Sequence, residues 1–504
     1  MKKLLVLTIF ALLFTSAEVF SQSRHYNSMS LGMGGGGTAI VDGYHANFIN
    51  PANLMINPTR KRPKRNVGIL GGIGLRAGGT LINIDVYNEY LTKGLTIEGQ
   101  VAEDMLTDWF GADVENTRDF STTANIIPFG FSNRGKKSAI SVATRVRVTE
   151  KMTVNRGLAE LGVYGIDPDK FGSRTPVNFD LGTIAFTEVS VGYARQILSL
   201  PNLLFAKNVK LYAGIAPKYL IGVQYMNLDF NSDLLMEQST VNGEQVTTRI
   251  LQNFNYRLDA VGALAQDLRA FERANEQDED AKLDDYLVSE SEYADVNATG
   301  WGFDMGATLE MDISGVPIID SFFGKKKTLR VSMSLTDLGS MTFDKTPVSI
   351  FADGQFDYSG AGNDDEPGDY FEELADSLMN DVYGDFDSEE TTGYEYELPA
   401  MYNFGASLVM GKLTTTLDYG VGFNEKGNNS KRSSMNLGVE YRLLGFIPIR
   451  GGTRVGGYSS QAYSAGIGID LNFLEFSVAG SFVGNNTENG GSVAAAWSGL
   501  VLRF

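Results

Sequence analysis

From Leu329 onward every second residue is apolar: Leu329, Val331, Met333 and Leu335 alternate with Arg330, Ser332, Ser334 and Thr336. The period returns at Met435, Leu437, Val439, Tyr441 and Leu443, set against Asn436, Gly438, Glu440 and Arg442. It returns again at Leu474, Phe476, Val478 and Phe482, set against Glu475, Ser477 and Ser481. Successive side chains of a strand point to opposite faces, so these runs make ribbons with one greasy and one wet side. A soluble sandwich hides the apolar side, whereas a membrane barrel turns it to lipid and keeps the polar side for its interior.

Three features choose the barrel. First, Lys2 and Lys3, an apolar run from Leu4 to Phe14, and the small residues Ser16, Ala17 and Ser21 form a secretory signal. Val19 and Ser21 fit the small-residue rule before the cut, which places the signal peptide at residues 1–21. The chain has no cysteine, hence no disulfide and no lipidated anchor. Beyond the signal no run approaches the roughly 18 apolar residues of a spanning helix, so strands remain the way to cross a membrane. Second, tight joins near Gly411 and Leu471 alternate with polar links such as "NEKGNNSKR" and "GNNTENGG", as inner turns and outer loops do. Third, the chain ends in "WSGLVLRF". Gly499, Leu502 and Phe504 resemble the C-terminal signal read by the barrel assembly machinery, an expected partner.

The fold expected is all-β: a transmembrane antiparallel β-barrel of about fourteen strands over residues 66–504, preceded by a lumenal hatch over residues 22–65, in the outer membrane and in contact with its lipid. Strands are predicted near 66–75, 122–132, 137–150, 180–197, 208–228, 298–312, 327–343, 398–410, 413–424, 433–444, 447–457, 461–471, 472–484 and 492–504. Strand parity puts the inserts 76–121, 151–179, 229–297 and 344–397 all outside. Two of them hold most of the acid: Asp259–Asp295 has 12 acidic and 3 basic residues, Asp344–Glu397 has 17 and 1. Helical spacing at Val261, Leu264, Leu268 and Phe271, and at Phe371, Leu374, Leu378 and Val382, predicts in each a short amphipathic helix capping the barrel mouth. The carboxylates of "DGQFDYSGAGNDDEPGDYFEE" match no EF-hand spacing and read as a solvated face before a calcium site. No basic stripe with interleaved aromatics is present, which argues against nucleic acid.

Near the start, Gly32, Gly34 and Gly37 in "SLGMGGGGTAIVDGYHANFINPANLM" have the spacing of a dinucleotide-binding turn. That turn needs a preceding core strand, an acid about twenty residues on, or a phosphate-loop lysine, and none is there. Glycines in a row instead allow positive φ and close approach, which suits a segment threaded through a crowded lumen. Asn50 is placed to cap a short turn that begins at Pro51. The order of the Gly-rich stretch, "TAIVD" and "NPANL" before the first strand resembles the N-terminal hatch of the FadL family of hydrophobic-compound transporters, including PorV-like proteins of Bacteroidetes. "KYLIG" at Lys218–Gly222 and the Gly-rich final hairpins are similar to members of uncharacterised function. The resemblance implies that Gly34, Gly35, Gly36, Gly37, Asp42, Asn50, Pro51 and Ala52 form a plug, and that apolar ligands leave sideways through a kinked strand.

If the apolar sides face lipid, Arg145, Arg147, Arg330, Asp418, Glu440, Arg442 and Glu475 face the lumen, because a charge on the lipid side costs roughly 2–4 kcal/mol near the midplane. Inward charges of this kind pair with one another, though an arginine there could also hold a ligand carboxylate. The only histidines are His25 and His45, both in the hatch region, so no strand-borne base supports hydrolysis and no enzyme is expected. No cofactor and no metal site are predicted. The first functional expectation is a hatch-gated barrel for small hydrophobic molecules. The alternative is a non-transporting barrel that docks secreted or surface proteins, as PorV-like relatives do in type IX secretion.

Overall fold

A computed structural model describes residues 27–56, 63–165, 167–203, 206–241, 244–275, 295–314, 327–358, 387–389, 391–424, 429, 431–457, 461–471, 473–484 and 490–504. The expected signal, the acidic "DGQF…" stretch beyond Tyr358 and the helix read at Phe371–Val382 lie outside them. The strands are β1 (Arg65–Gly79), β2 (Thr117–Arg134), β3 (Ser138–Asn155), β4 (Thr175–Leu203), β5 (Ala206–Val241), β6 (Glu244–Val261), β7 (Ala298–Asp312), β8 (Lys327–Phe343), β9 (Val348–Tyr358), β10 (Asp387–Glu389), β11 (Tyr394–Glu397), β12 (Met401–Met410), β13 (Leu413–Gly422), β14 (Ser434–Leu443), β15 (Ile447–Gly456), β16 (Ala462–Asp470), β17 (Leu474–Val483), β18 (Gly491–Trp497) and β19 (Leu500–Arg503). Every pairing is antiparallel, and β1 closes the ring on β18 and β19. With β18 and β19 counted as one broken strand, and with β6, β9, β10 and β11 left aside as outer additions, the barrel has fourteen strands, each overlapping one segment expected from the alternation.

The alternation is realised as lipid outside and polar inside. Ile140, Val142, Leu437, Val439, Phe476 and Val478 are each between 38% and 51% exposed on the outer wall, while Arg145, Ser332, Asn436 and Ser477 are buried within it. A closed sheet with that polarity leaves no unpaired edge in hydrocarbon and sits in the outer membrane. The wall is uneven. Strands β12 to β17 are 9 or 10 residues long, about the span of a tilted membrane strand, whereas β4 has 29 and β5 has 36.

The tall side corrects the expected inserts. Residues 229–241 are not loop but a continuation of β5, which exchanges its partner β7 for β6 above Gly222, with β9 and β10 added beyond β6. Above the membrane a paired backbone no longer needs apolar alternation, so "NSDLLMEQST" reads as loop yet stays in the sheet. Val261 ends β6, and the helix starts at Ala263 with Leu264 and Leu268 on it. Three helices join this region: α2 (Gly99–Phe110), α3 (Arg156–Tyr164) and α4 (Ala263–Asn275), after the five-residue α1 (Ser28–Gly32). Leu161 of α3 packs on Val177, Leu234 and Met236, while Met105, Leu106 and Phe110 of α2 pack beside Val154. Val154 and Val177 belong to the outward-facing set of β3 and β4, so this helical layer clads the outside of the wall rather than capping its mouth.

Candidate functional site: the plug and the charged lumen

Residues 27–56 fill the barrel, and strands from all around the wall hold them. Asn27 caps α1 through a reciprocal pair of bonds with Ser30, and Ser28 Oγ lies 2.6 Å from Ser477 Oγ on β17. Of the four glycines, Gly34 shows why no side chain fits. Its φ is +86°, and a Cβ there would stand 2.7 Å from Thr453 O and 2.9 Å from Leu437 O, both strand backbone. Gly36 lies against the Asp418 carboxylate, whose Oδ1 accepts the Thr38 N–H at 2.9 Å. The next turn, Pro51–Met55, opens as Asn50 and Pro51 suggest: Asn50 Oδ1 accepts the Ala52 N–H at 3.2 Å. Its Nδ2 donates to Thr38 O at 2.9 Å and to Thr308 Oγ1 on β7 at 3.0 Å. Ser334 and Ser407 donate to the Ile49 and Ala39 carbonyls at 2.6 and 3.2 Å. Asp42 precedes the turn Gly43–Phe48 without a side-chain bond to it, and borders a small cleft at the periplasmic ends of β1 and β19.

One part of the wall is irregular. On β1 Leu70 takes φ +46° and the register with β2 slips between Ile69 and Gly72. Beside it the last strand breaks at Ser498–Gly499, and on the other side the β2–β3 register slips between Ile126 and Gly130. The glycines of this patch leave an inward hollow in the wall that the plug fills. The Tyr44 ring occupies the space where Gly68, Gly71 and Gly130 would carry side chains, its hydroxyl donates to Gly71 O at 2.7 Å, and His45 stands over Gly72.

Against Phe48 of the plug lies a cluster of six buried charges. Arg145 Nη2 is 2.7 Å from Glu188 and 3.2 Å from Asp337, and Arg147 Nη1 is 3.0 and 3.1 Å from the same two carboxylates. Lys218 reaches Asp304 at 2.9 Å, Glu188 at 4.0 Å and Asp337 more closely still. Three cations meet three anions, and the Phe48 ring centre sits 4.3 Å from the Arg145 guanidinium carbon. An aromatic group that includes Phe186, Phe343 and Tyr396 covers the cluster on its outer side, with Arg147 over the Phe186 ring.

Residues 57–480 match the profile of a family described only as being of unknown function, DUF5723. The chain belongs to that family. In this DUF5723 chain the plug lies just before the matched region. No curated protein matches in sequence. Among solved structures, the chain resembles the toluene transporter TbuX of Ralstonia pickettii, with 12% identity, 95% of this chain and 99% of that one covered, and a TM-score of 0.44. A TodX deletion mutant described as a monoaromatic hydrocarbon channel gives 10%, 96%, 100% and 0.48. A FadL homologue of Pseudomonas aeruginosa gives 11%, 96%, 100% and 0.43.

The structure of the DUF5723 chain places the seven charges read from the sequence on the inner side of the wall. Arg145 and Arg147 enter the six-charge cluster. Arg330 pairs with Glu310 at 2.8 Å, near the Tyr212 hydroxyl. Glu440, Arg442 and Glu475 belong to a second network near the periplasmic rim, where Glu440 joins Arg442 and Arg450, each at 2.8 Å, and Asp470 joins Arg442 and Arg503, the latter at 2.6 Å. Glu475 pairs with Arg503. Asp418 stands apart from both, against the glycines of the plug. Gly499, Leu502 and Phe504 lie at the closing seam, Gly499 pressed on the Leu70 carbonyl and the Phe504 N–H donating to Arg65 O at 3.1 Å. Sequence reading missed Glu188, Lys218, Asp304, Glu310 and Asp470, each on the polar side of an alternating strand and so open to the same parity argument. Asp337 was not open to it. Parity from Leu329 points it at lipid, and the bulge at its φ of +56° turns it inward.

Proposed function

We propose that this chain is a plugged outer-membrane channel that admits small hydrophobic molecules and releases them when the plug shifts. The observation that carries the reading is the glycine-thinned patch of β1 and β2, filled from inside by Tyr44 at the level where three neighbouring strands lose register. A wall built to be continuous has no need of four small residues there. A wall built to open needs a gap and a removable stopper, and the stopper here belongs to a lumenal segment that is not part of the sheet. The resemblance of the "NPANL" region to FadL-type hatches supports the same reading. Its energetics are differential: a ligand opens the wall only if it binds the displaced-plug state better than the seated one.

The chain lacks cysteine, so a crosslink can be introduced cleanly. A Cβ on Gly130 would meet the Tyr44 ring beside its Cγ, which brings the paired variant Y44C/G130C within disulfide reach. Cells expressing it should take up an apolar dye normally excluded by the outer membrane when reduced, and lose that uptake when oxidised. Equal uptake in both redox states would refute gating by displacement of the plug at this site.

A further inference from the structure

We infer that Tyr87, Leu91 and Leu95 form an apolar foot by which the outer helical layer rests on the outer leaflet of the membrane. This inference is independent of whether the barrel transports. After β1 the chain runs through Leu81 and Ile82 into a single helical turn, Ile84–Val86, that widens into a π turn at Tyr87–Leu91. One side of this segment is spoken for. Val86 is buried, and Leu81 and Tyr90 pack with it against Met105, Leu106, Trp109 and Phe110 of α2. The Tyr90 hydroxyl donates to Asp108 at 2.7 Å. Away from that side, Tyr87 and Leu91 on the π turn and Leu95 just beyond it are 55%, 49% and 45% exposed, with the exposed Glu89–Lys93 ion pair between them in sequence.

Two observations identify lipid as what covers them. The layer lies on the outward face of the wall, since Val154 belongs to both the outward set of β3 and the cluster around α2. Its lower edge is also continuous with the lipid belt. The Gly491 N–H at the top of β18 donates to Ile82 O, and two residues further down, on the same strand, outward-facing Val493 pairs with Phe482, which pairs with Tyr463, all three strongly exposed. Two strand residues are roughly 7 Å, so the segment leaves the wall at headgroup depth. An apolar side with aromatic and leucine content at that depth is the pattern of an interfacial helix.

Single cysteines replacing Tyr87, Leu91 and Leu95, labelled with a polarity-sensitive fluorophore in phosphatidylcholine vesicles containing no other protein, test the inference. Labels at L437C in the belt and at the exposed loop residue E115C set the limits. Lipids carrying a shallow nitroxide should quench the three labels at least half as strongly as L437C, and aqueous iodide should quench them several-fold less than E115C. Iodide quenching equal to that of E115C would overturn the inference. So would shielding that appears in native membranes but not in pure lipid, because the occupant would then be a protein.

Discussion

Replacing Lys218 by methionine isolates the six-charge cluster. The side chain is fully buried, and methionine keeps most of its length while deleting the charge. Three carboxylates, Glu188, Asp304 and Asp337, would then share two arginines. Asp304 loses most, since among the described ion pairs it has only Lys218, and it keeps just the Asp337 N–H at 2.5 Å. Removing one partner of a buried ion pair costs about 3–5 kcal/mol, because the other charge stays behind uncompensated. The expected loss for K218M is of that size, measured as the shift in guanidinium unfolding followed by tryptophan fluorescence in lipid vesicles. The double variant K218M/D304N returns the cluster to two cations and two anions, all within the geometry that Arg145 and Arg147 already satisfy, and should regain at least half of the loss. A single variant within 1 kcal/mol of the parent, or a double variant no better than the single, would refute the claim that charge balance rather than side-chain volume stabilises this part of the lumen.

Other perturbations address separate links. Gly34→Ala should unseat the plug, since its φ of +86° and two strand carbonyls leave no room for a methyl; protease sensitivity of residues 27–56 should rise several-fold while the barrel keeps its β-sheet circular dichroism. Asn50→Ala removes bonds to Thr38, Thr308 and Ala52 and should cost about 1–3 kcal/mol, read as earlier release of the plug in the same titration. In the outer layer, the Lys170 hydrogen bond at 2.9 Å holds the Glu103 carboxyl below its usual range, against partial burial that raises it and with help from Arg156. A depressed carboxylate contributes stability above its unfolded pKa and loses it as pH falls through the folded value. Amide protection factors in α2 and α3, corrected for the intrinsic exchange rate, should therefore be high at neutral pH and fall below about pH 4. The variant E103Q should weaken protection at neutral pH and flatten that dependence. Phe504→Ala, which keeps the backbone bonds to Arg65, should slow barrel assembly in cells far more than it lowers the stability of barrels already folded, as a pulse-chase of the folded form would show.

Much of the barrel was legible because one periodicity encodes both the element and its surroundings. Leu437 and Glu440 need only count residues to know lipid from lumen, and the strand segments followed from that count. The rule fails where the backbone departs from period two. Asp337 escapes it through a bulge, and the break at Ser498–Gly499 divides a strand that reads as continuous. It also fails where its cause disappears: above the membrane, residues 229–241 remain in a sheet with no lipid to impose alternation. The plug was readable through Gly34 and Asn50, whose backbone and capping preferences are local. Its stopper was not. Tyr44 looks like any aromatic until Gly68, Gly71 and Gly130, from two other strands, are seen to share its space.

The ring is joined by its first and last strands, and the thirty residues that fill it are tethered just ahead of the first. A cylinder so arranged stays open along one line until its final strand docks, so its contents have two ways in: from the side before that seam is sewn, and from the tethered end after it.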